Sequence, residues 1–374
     1  MENKPERKYY IDNLRWACIL LLIPFHAAMA WNSWGEGNYV WIQGNRFLSS
    51  FILLVSPWYM PLMFVIAGIS ARMAMKRRTF KEFTVERIRK LFLPLAAGLL
   101  TIAPIMSYVG DCYNNGYTGN FFSHYYVYFT KITTLNGYDG GFTPAHLWFL
   151  LYLFIISMVG LGITALQKKF LPNANFSKIG MAVILLMALT LPVANLLLDI
   201  GGKSVGYFLV LYLLGYYLLA EDAVIDRIAR YKAVLASLAL GFSILCAYFY
   251  VWMPEPIEVL WKSALFLSCW FGILALLGMG KKYFNQNNRV TRYLSTRSFS
   301  VYLFHFVWVI AIQYNATQYI SNTAALFLIS VIGGFLLTLI TCEIAFHTKK
   351  IWNIIILKNK HNKSPIPEGR GDIS

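Results

Sequence analysis

The sequence predicts an all-α, polytopic integral membrane protein with about ten transmembrane helices and both termini in the cytoplasm. Three observations lead there. Of 374 residues, 58% are hydrophobic and only 13% are charged, against about 25% charged in soluble domains. Hydropathy resolves spans near 13–31, 48–75, 91–110, 144–166, 179–199, 204–220, 233–252, 259–279, 298–316 and 323–346, most of them near the length that crosses a hydrocarbon core. Lysine and arginine then alternate between loops: with a cytoplasmic N-terminus, 28 fall inside and 4 outside, Arg72 near a helix end being unassigned. That asymmetry sets the orientation and accounts for the net charge of +16 without nucleic acid.

Span one follows a basic stretch and ends near Ala28-Met29-Ala30, which mimics a cleavable signal. Arg15, Pro24 and His26 interrupt that pattern and favour a retained helix. Spans two and three flank the basic run Lys76 to Lys90, and Lys168, Lys169 and Lys178 follow span four. The longest outer segment, Asp111 to Thr143, is rich in Tyr, Asn and Gly and contains His124 and Asp139. It reads equally as a lid or sugar-binding platform and as an interfacial aromatic belt. Residues 1–347 form one transmembrane domain, and 348–374 a basic cytoplasmic tail whose end, from Lys358, is polar and disordered in character. Its Arg370-Gly371-Asp372 triplet then faces the cytoplasm, and Asn315-Ala316-Thr317 is a chance-level glycosylation match. Cys18, Cys246, Cys269 and Cys342 lie in apolar stretches and Cys112 in a loop, with no CxxC; neither a disulfide framework nor a metal site is expected.

Ionisable groups inside membrane helices are costly and face cavities or partners. Arg15 and His26 stand eleven residues apart on span one, so they share a helical face about 16 Å apart in depth. Arg15 is i,i+3 to Asp12 and is in reach of it. A snorkelling anchor and a packed histidine are the plain alternatives; two ionisable residues on one stripe favour a track from the membrane surface inward. Arg87-Ile88-Arg89-Lys90 precedes Leu91-Phe92-Leu93-Pro94, a cluster that suits a phosphate-rich ligand as well as ordinary anchoring. His146 and Trp148 at the start of span four, Tyr302 and His305 in span nine and Glu343 in span ten are further candidate cavity residues. There is no nucleotide-binding glycine loop, HExxH or GxSxG.

Taken in order, these residues resemble the membrane-bound acyltransferase 3 family over about 8–346. The resemblance rests on Tyr10-Ile11-Asp12-Asn13-Leu14-Arg15, the Arg-x10-His spacing to His26, and Phe64-Val65-Ile66-Ala67-Gly68. It also rests on Arg87-Ile88-Arg89-Lys90 with Pro94, His146-Leu147-Trp148-Phe149, and Tyr302 with His305. The opening is similar to the glucan-modifying, periplasmic glucan succinyltransferase branch. Ala67 replaces the usual serine and Lys90 the second arginine of the basic motif; lysine exchanges a bidentate fork for a point charge.

The resemblance implies transfer of an acetyl or succinyl group from a cytoplasmic acyl-CoA co-substrate to a carbohydrate hydroxyl at the outer face of a bacterial inner membrane, with no permanent cofactor. His26 is then the general base, Asp12 orients Arg15, and Arg15 holds the donor or stabilises developing charge, while Arg87, Arg89 and Lys90 bind coenzyme A. A small-molecule or ion transporter would use the same Arg/His-lined interior, although the sequence lacks the repeat many transporters carry. A scaffold in envelope polysaccharide synthesis with a vestigial site is the third reading.

Overall fold

The computed structural model describes residues 7–170, 175–200 and 202–361, with side chains described to residue 348. Lys4 and the Arg370-Gly371-Asp372 triplet lie outside the described residues. The chain runs α1 (Tyr9–Met29), α2 (Arg46–Met75), α3 (Phe80–Asn114), α4 (Phe121–Thr130), α5 (Ala145–Phe170) and α6 (Met181–Asn195). A two-strand hairpin, β1 (Asp199–Ile200) and β2 (Lys203–Ser204), leads to α7 (Val205–Tyr217) and α8 (Asp222–Arg230). Then follow α9 (Lys232–Trp252), α10 (Glu258–Tyr283), α11 (Arg289–Ala316) and α12 (Thr323–His361).

Among the described residues eight helices are long and apolar enough to cross a membrane, and nine if α7 and α8, bent by 102°, count as one broken span. The expected spans at 179–199 and 204–220 are therefore shorter than a regular crossing. In α6 the turn Met187–Leu189 tightens to 3-10 geometry just before Pro192, whose ring crowds the carbonyl four residues back and supplies no N–H. The last helix continues past residue 347 to His361.

Helix α1 is built into the core. Tyr10, Ile11, Leu14, Ile19, Ile23 and Ala27 are buried, Asn13 donates to the carbonyls of Phe284 and Gln286 at 2.5 and 2.9 Å, and Gln313 donates to the Ala27 carbonyl at 2.9 Å. Beyond its end, Asn32 closes the loop by donating to the Met29 and Glu36 carbonyls at 3.0 and 2.8 Å. Helices α2 and α7 cross through glycines on both sides: a Cβ on Gly68 would stand 2.0 Å from the Tyr212 carbonyl oxygen, and one on Gly215 2.3 Å from that of Val65. Without a hydrophobic drive between helices in lipid, such close backbone approach is the main source of association.

Helix α3 starts from a capping box of Thr79 and Glu82 and passes through a π-turn at Ile88–Phe92. Pro94 follows, lacks the N–H that would reach Lys90, and favours this local widening. The π-turn falls on the basic motif, with Arg89 and Lys90 inside it and Arg87 just before it.

Candidate functional site

His26 lies in the last turn of α1, with its ring stacked on Phe306 at 3.9 Å between centroids and His305 at 5.3 Å. His146 is 5.2 Å beyond His305, so three helices bring three imidazoles together. Their hydrogen bonds fix two tautomers. His305 Nδ1 faces the carbonyls of Tyr302 and Val301 at 2.8 and 3.2 Å; since carbonyls only accept, Nδ1 carries the proton and Nε2 presents a lone pair. His146 Nε2 donates to the Leu303 carbonyl at 3.0 Å, leaving its Nδ1 as the acceptor. Both lone-pair nitrogens are buried without a partner among the described residues. The Tyr302 hydroxyl donates to the His146 carbonyl at 2.6 Å and locks α11 against the start of α5. Ala145 enters α5 at φ 47°, in the left-handed region that disfavours a side chain, and its N–H is held by Thr143 Oγ1 at 2.8 Å. That turn aims His146 into the bundle.

These residues border a cavity of about 570 Å³ lined by His26, His146, Trp148 and Tyr302 among many aromatic side chains. Loops also border it. Asn38, Tyr39, Asn136, Tyr138 and Lys203 line it there, tied by Tyr39 donating to the Asn136 carbonyl at 2.9 Å and Asn114 donating to the carbonyls of Asn38 and Tyr138, both at 3.0 Å. The segment 111–143 thus divides into α4, with His124 buried against Asp111 at 3.1 Å, and a loop whose residues 134–136, 138 and 143 line the cavity. Aromatic faces beside amide and hydroxyl groups suit a polyhydroxylated ligand.

At the opposite end of α1, Arg15 donates to Asp12 at 2.8 Å and to the Ser70 hydroxyl of α2 at 3.0 Å, and Arg7 shares Asp12 at 2.8 Å. Arg87 lies 4.5 Å over the Phe83 ring and within electrostatic range of Arg15 and Tyr212. The π-turn separates it from Arg89 and Lys90, which line a shallow depression at the surface with Lys81, Glu82 and Glu86, Lys90 pairing with Glu86 at 2.6 Å. Arg72 covers the Tyr216 ring at 5.4 Å and is 3.9 Å from Glu221. The Nε atoms of both Arg72 and Arg87 are buried without a partner among the described residues.

The structure therefore joins His26, His146, Trp148 and Tyr302 in one cavity, with His305 packed behind its wall. Arg15, Asp12 and Arg87 gather at the other end of α1 and do not line that cavity. Arg89 and Lys90 are exposed at the surface depression, whereas Arg87 is half-buried. Glu343 is not a cavity residue either: it receives Arg297 Nε and Nη2 at 2.8 and 3.0 Å and the Tyr293 hydroxyl at 2.7 Å, because α11 and α12 face each other there. Sequence reasoning missed Ser70 and Arg72. Arg72 stands four residues after Gly68 on the same helical face, and that spacing was the available signal. It also missed Lys203 and the loop residues 36–39, for which no local pattern exists.

A model of an acyltransferase domain matches residues 8–343. The chain belongs to the acyltransferase 3 family. It is similar, at 26% identity over 370 residues that cover 90% of this chain and 91% of each relative, to proteins named "Glucans biosynthesis protein C" from Salmonella paratyphi B, Salmonella agona and Salmonella dublin. No solved structure matches. With its apolar helices, this acyltransferase 3 protein is an integral membrane acyltransferase of the bacterial inner membrane. The family match covers both the His26 cavity and the arginine cluster of this member.

Proposed function

We propose that this acyltransferase 3 protein transfers an acetyl or succinyl group from a cytoplasmic acyl-CoA to a hydroxyl of a carbohydrate, such as a glucan, at the outer face. The carrying observation is the placement of His26 on the cavity wall, on the same helix as the Arg15 cluster at its other end. The relatives' printed name supports a glucan-related acceptor, and the aromatic lining fits one.

In this reading the phosphates of coenzyme A engage the arginine cluster, where Arg15 and Arg87 already face inward and Arg72 adds a third guanidinium from α2. Guanidinium forks match phosphate oxygens in a bidentate way. The pantetheine arm then follows the face of α1 toward His26, which requires the side chains between the cluster and the cavity to part. His26 removes the acceptor hydroxyl proton as the oxygen attacks the thioester carbon. The carbon–sulfur bond breaks, and the imidazolium returns its proton to the leaving thiolate. Base catalysis of this type contributes about 10²- to 10⁴-fold. The inner basic segment, grouped by the charge asymmetry of the sequence, supports a cytoplasmic donor side.

The test is coenzyme A release by purified protein offered acetyl- or succinyl-CoA with a mixed glucan, beside His26→Ala. Acceptor-dependent release, lost in the folded variant, is expected. Undiminished release from His26→Ala removes the base assignment. Substrate flux into proteoliposomes without consumption of acyl-CoA overturns the enzyme reading.

A further inference from the structure

Lys203 lines the loop border of the same cavity and has no role in the chemistry above. Its position is fixed by the backbone. In the hairpin Ile200 pairs with Lys203 and Asp199 with Ser204. The Tyr152 hydroxyl on α5 is shared between the carbonyls of Ile200 and Lys203 at 2.7 and 3.0 Å. Ser204 caps α7 by accepting from the Tyr207 N–H at 3.1 Å. A side chain on so anchored a strand has a limited range of places for its ammonium.

That ammonium lies 5.2 Å from the centre of the Trp148 ring, and among the described residues it makes no hydrogen bond and no ion pair. The carboxylates that influence it, Glu36 and Asp199, form no ion pair with it among the described residues: Glu36, which also lines the cavity, accepts the Trp34 indole N–H at 2.9 Å, and Asp199 accepts the Gly202 N–H at 2.9 Å. Burial lowers the Lys203 pKa against the opposing pull of those two carboxylates. A half-buried cation with only an aromatic face for company among the described residues is unusual, because charges drawn out of water are normally paired.

We propose that Lys203, backed by Trp148, is a subsite for a carboxylate carried by the molecule that occupies the cavity. The proposal rests on the acyl-transfer reading, since His26 and Lys203 border one space. The carboxylate then belongs either to the acyl group in transfer, as the free end of a dicarboxylic half-thioester, or to an acidic sugar of the acceptor. Trp148 serves both needs: its face stabilises the ammonium, and its apolar body excludes the water that would weaken the ion pair.

The experiment uses the full-length protein in nanodiscs. Coenzyme A release is measured for wild type, Lys203→Met and Lys203→Arg with succinyl-CoA and butyryl-CoA, which share a chain length and differ in the charged end. Each donor is paired with a neutral glucan and with one containing glucuronic acid. For the carboxylate-bearing substrate, kcat/KM falls about 10- to 100-fold in Lys203→Met, as for loss of a charged hydrogen bond, and is largely restored in Lys203→Arg. The uncharged counterpart changes less than about 2-fold. A fall that follows the donor assigns the carboxylate to the acyl group, and one that follows the acidic glucan assigns it to the acceptor. Equal rates in wild type and Lys203→Met for all four pairings, or an equal fall in all four, overturns the subsite.

Binding separates this proposal from the acyl-transfer reading. Affinities for methyl 6-O-succinyl-glucoside and methyl glucuronide are measured by tryptophan fluorescence on wild type, Lys203→Met and His26→Ala. If no donor releases coenzyme A but Lys203→Met alone loses affinity for either acid, the subsite stands and the acyl-transfer reading falls. If release proceeds and neither kinetics nor binding responds to Lys203, the subsite falls alone.

Discussion

Replacing Gly68 by alanine tests whether the α2–α7 crossing holds the arginine end of the site together. The added Cβ would stand 2.0 Å from the Tyr212 carbonyl oxygen and 2.9 Å from the Tyr216 nitrogen, where ordinary contact begins at 3.4 Å. Both obstacles are backbone, so neither can rotate away, and the helices must separate locally by about 1.4 Å, the difference between 3.4 and 2.0 Å. Overpacking of this kind costs about 1–3 kcal/mol, occasionally more; the rigid obstacles put this site at the upper end. The movement also reaches Ser70, two residues along α2, whose hydroxyl holds Arg15 at 3.0 Å, and Phe64, which stacks on Phe208 at 4.4 Å. The assay is the thermal midpoint for loss of the monodisperse peak in detergent, with acyl-CoA turnover measured on the surviving fraction. Gly162→Ala is the control, since a Cβ there meets nothing within 4 Å and alanine favours the helix by somewhat under about 1 kcal/mol. Gly68→Ala should lower the midpoint and weaken donor use, while Gly162→Ala leaves both level or slightly raised. Equal behaviour of the two variants would refute the reasoning.

Two further outcomes follow from partners outside the cavity. Burial holds the His124 pKa below its ordinary 6.5, although Asp111 beside it pulls upward. The folded state therefore disfavours the proton, so stability from this site is complete above about pH 6.5 and declines as the pH falls below it. Proteolysis of the 115–143 segment should accelerate as the pH falls below about 6.5 into the mildly acidic range, and His124→Gln should flatten that response. Asp139 titrates lower still: burial pushes it up, but the Thr133 hydroxyl, the Gly141 N–H and Lys131 hold it below 3.8. It does not contribute in that window. Glu343→Ala should destabilise by about 1–3 kcal/mol, less than for a fully buried pair because the carboxylate is one-third exposed, by stranding the buried Arg297. Its turnover per folded molecule should match wild type; a selective loss of turnover would return Glu343 to the site.

The spacing of Arg15 and His26 was readable because both sit on one continuous helix, where position follows from 3.6 residues per turn. The same logic gave Asp12 beside Arg15. His146, Trp148 and Tyr302 were readable as unusual residues in apolar spans, yet their common cavity depends on α1, α5 and α11 meeting. Arg87, Arg89 and Lys90 look alike in sequence, yet Arg87 packs half-buried over Phe83 while Arg89 and Lys90 are exposed; two steps along a helix already turn the side chain by about 200°. Glu343 misled because a carboxylate in an apolar span suggests a cavity, whereas Arg297 on the facing helix neutralises it.

By itself the sequence determined the helical membrane architecture, the family and the two ends of α1, because apolar run length, charge asymmetry and helical periodicity are local properties. Tertiary structure alone decided which groups remain unpartnered among the described residues: the lone pairs of His146 and His305, the Nε atoms of Arg72 and Arg87, and the ammonium of Lys203. Partnership is a matter of distance between side chains far apart in the chain, fixed only when glycines such as Gly68 and Gly215 let the helices close on one another.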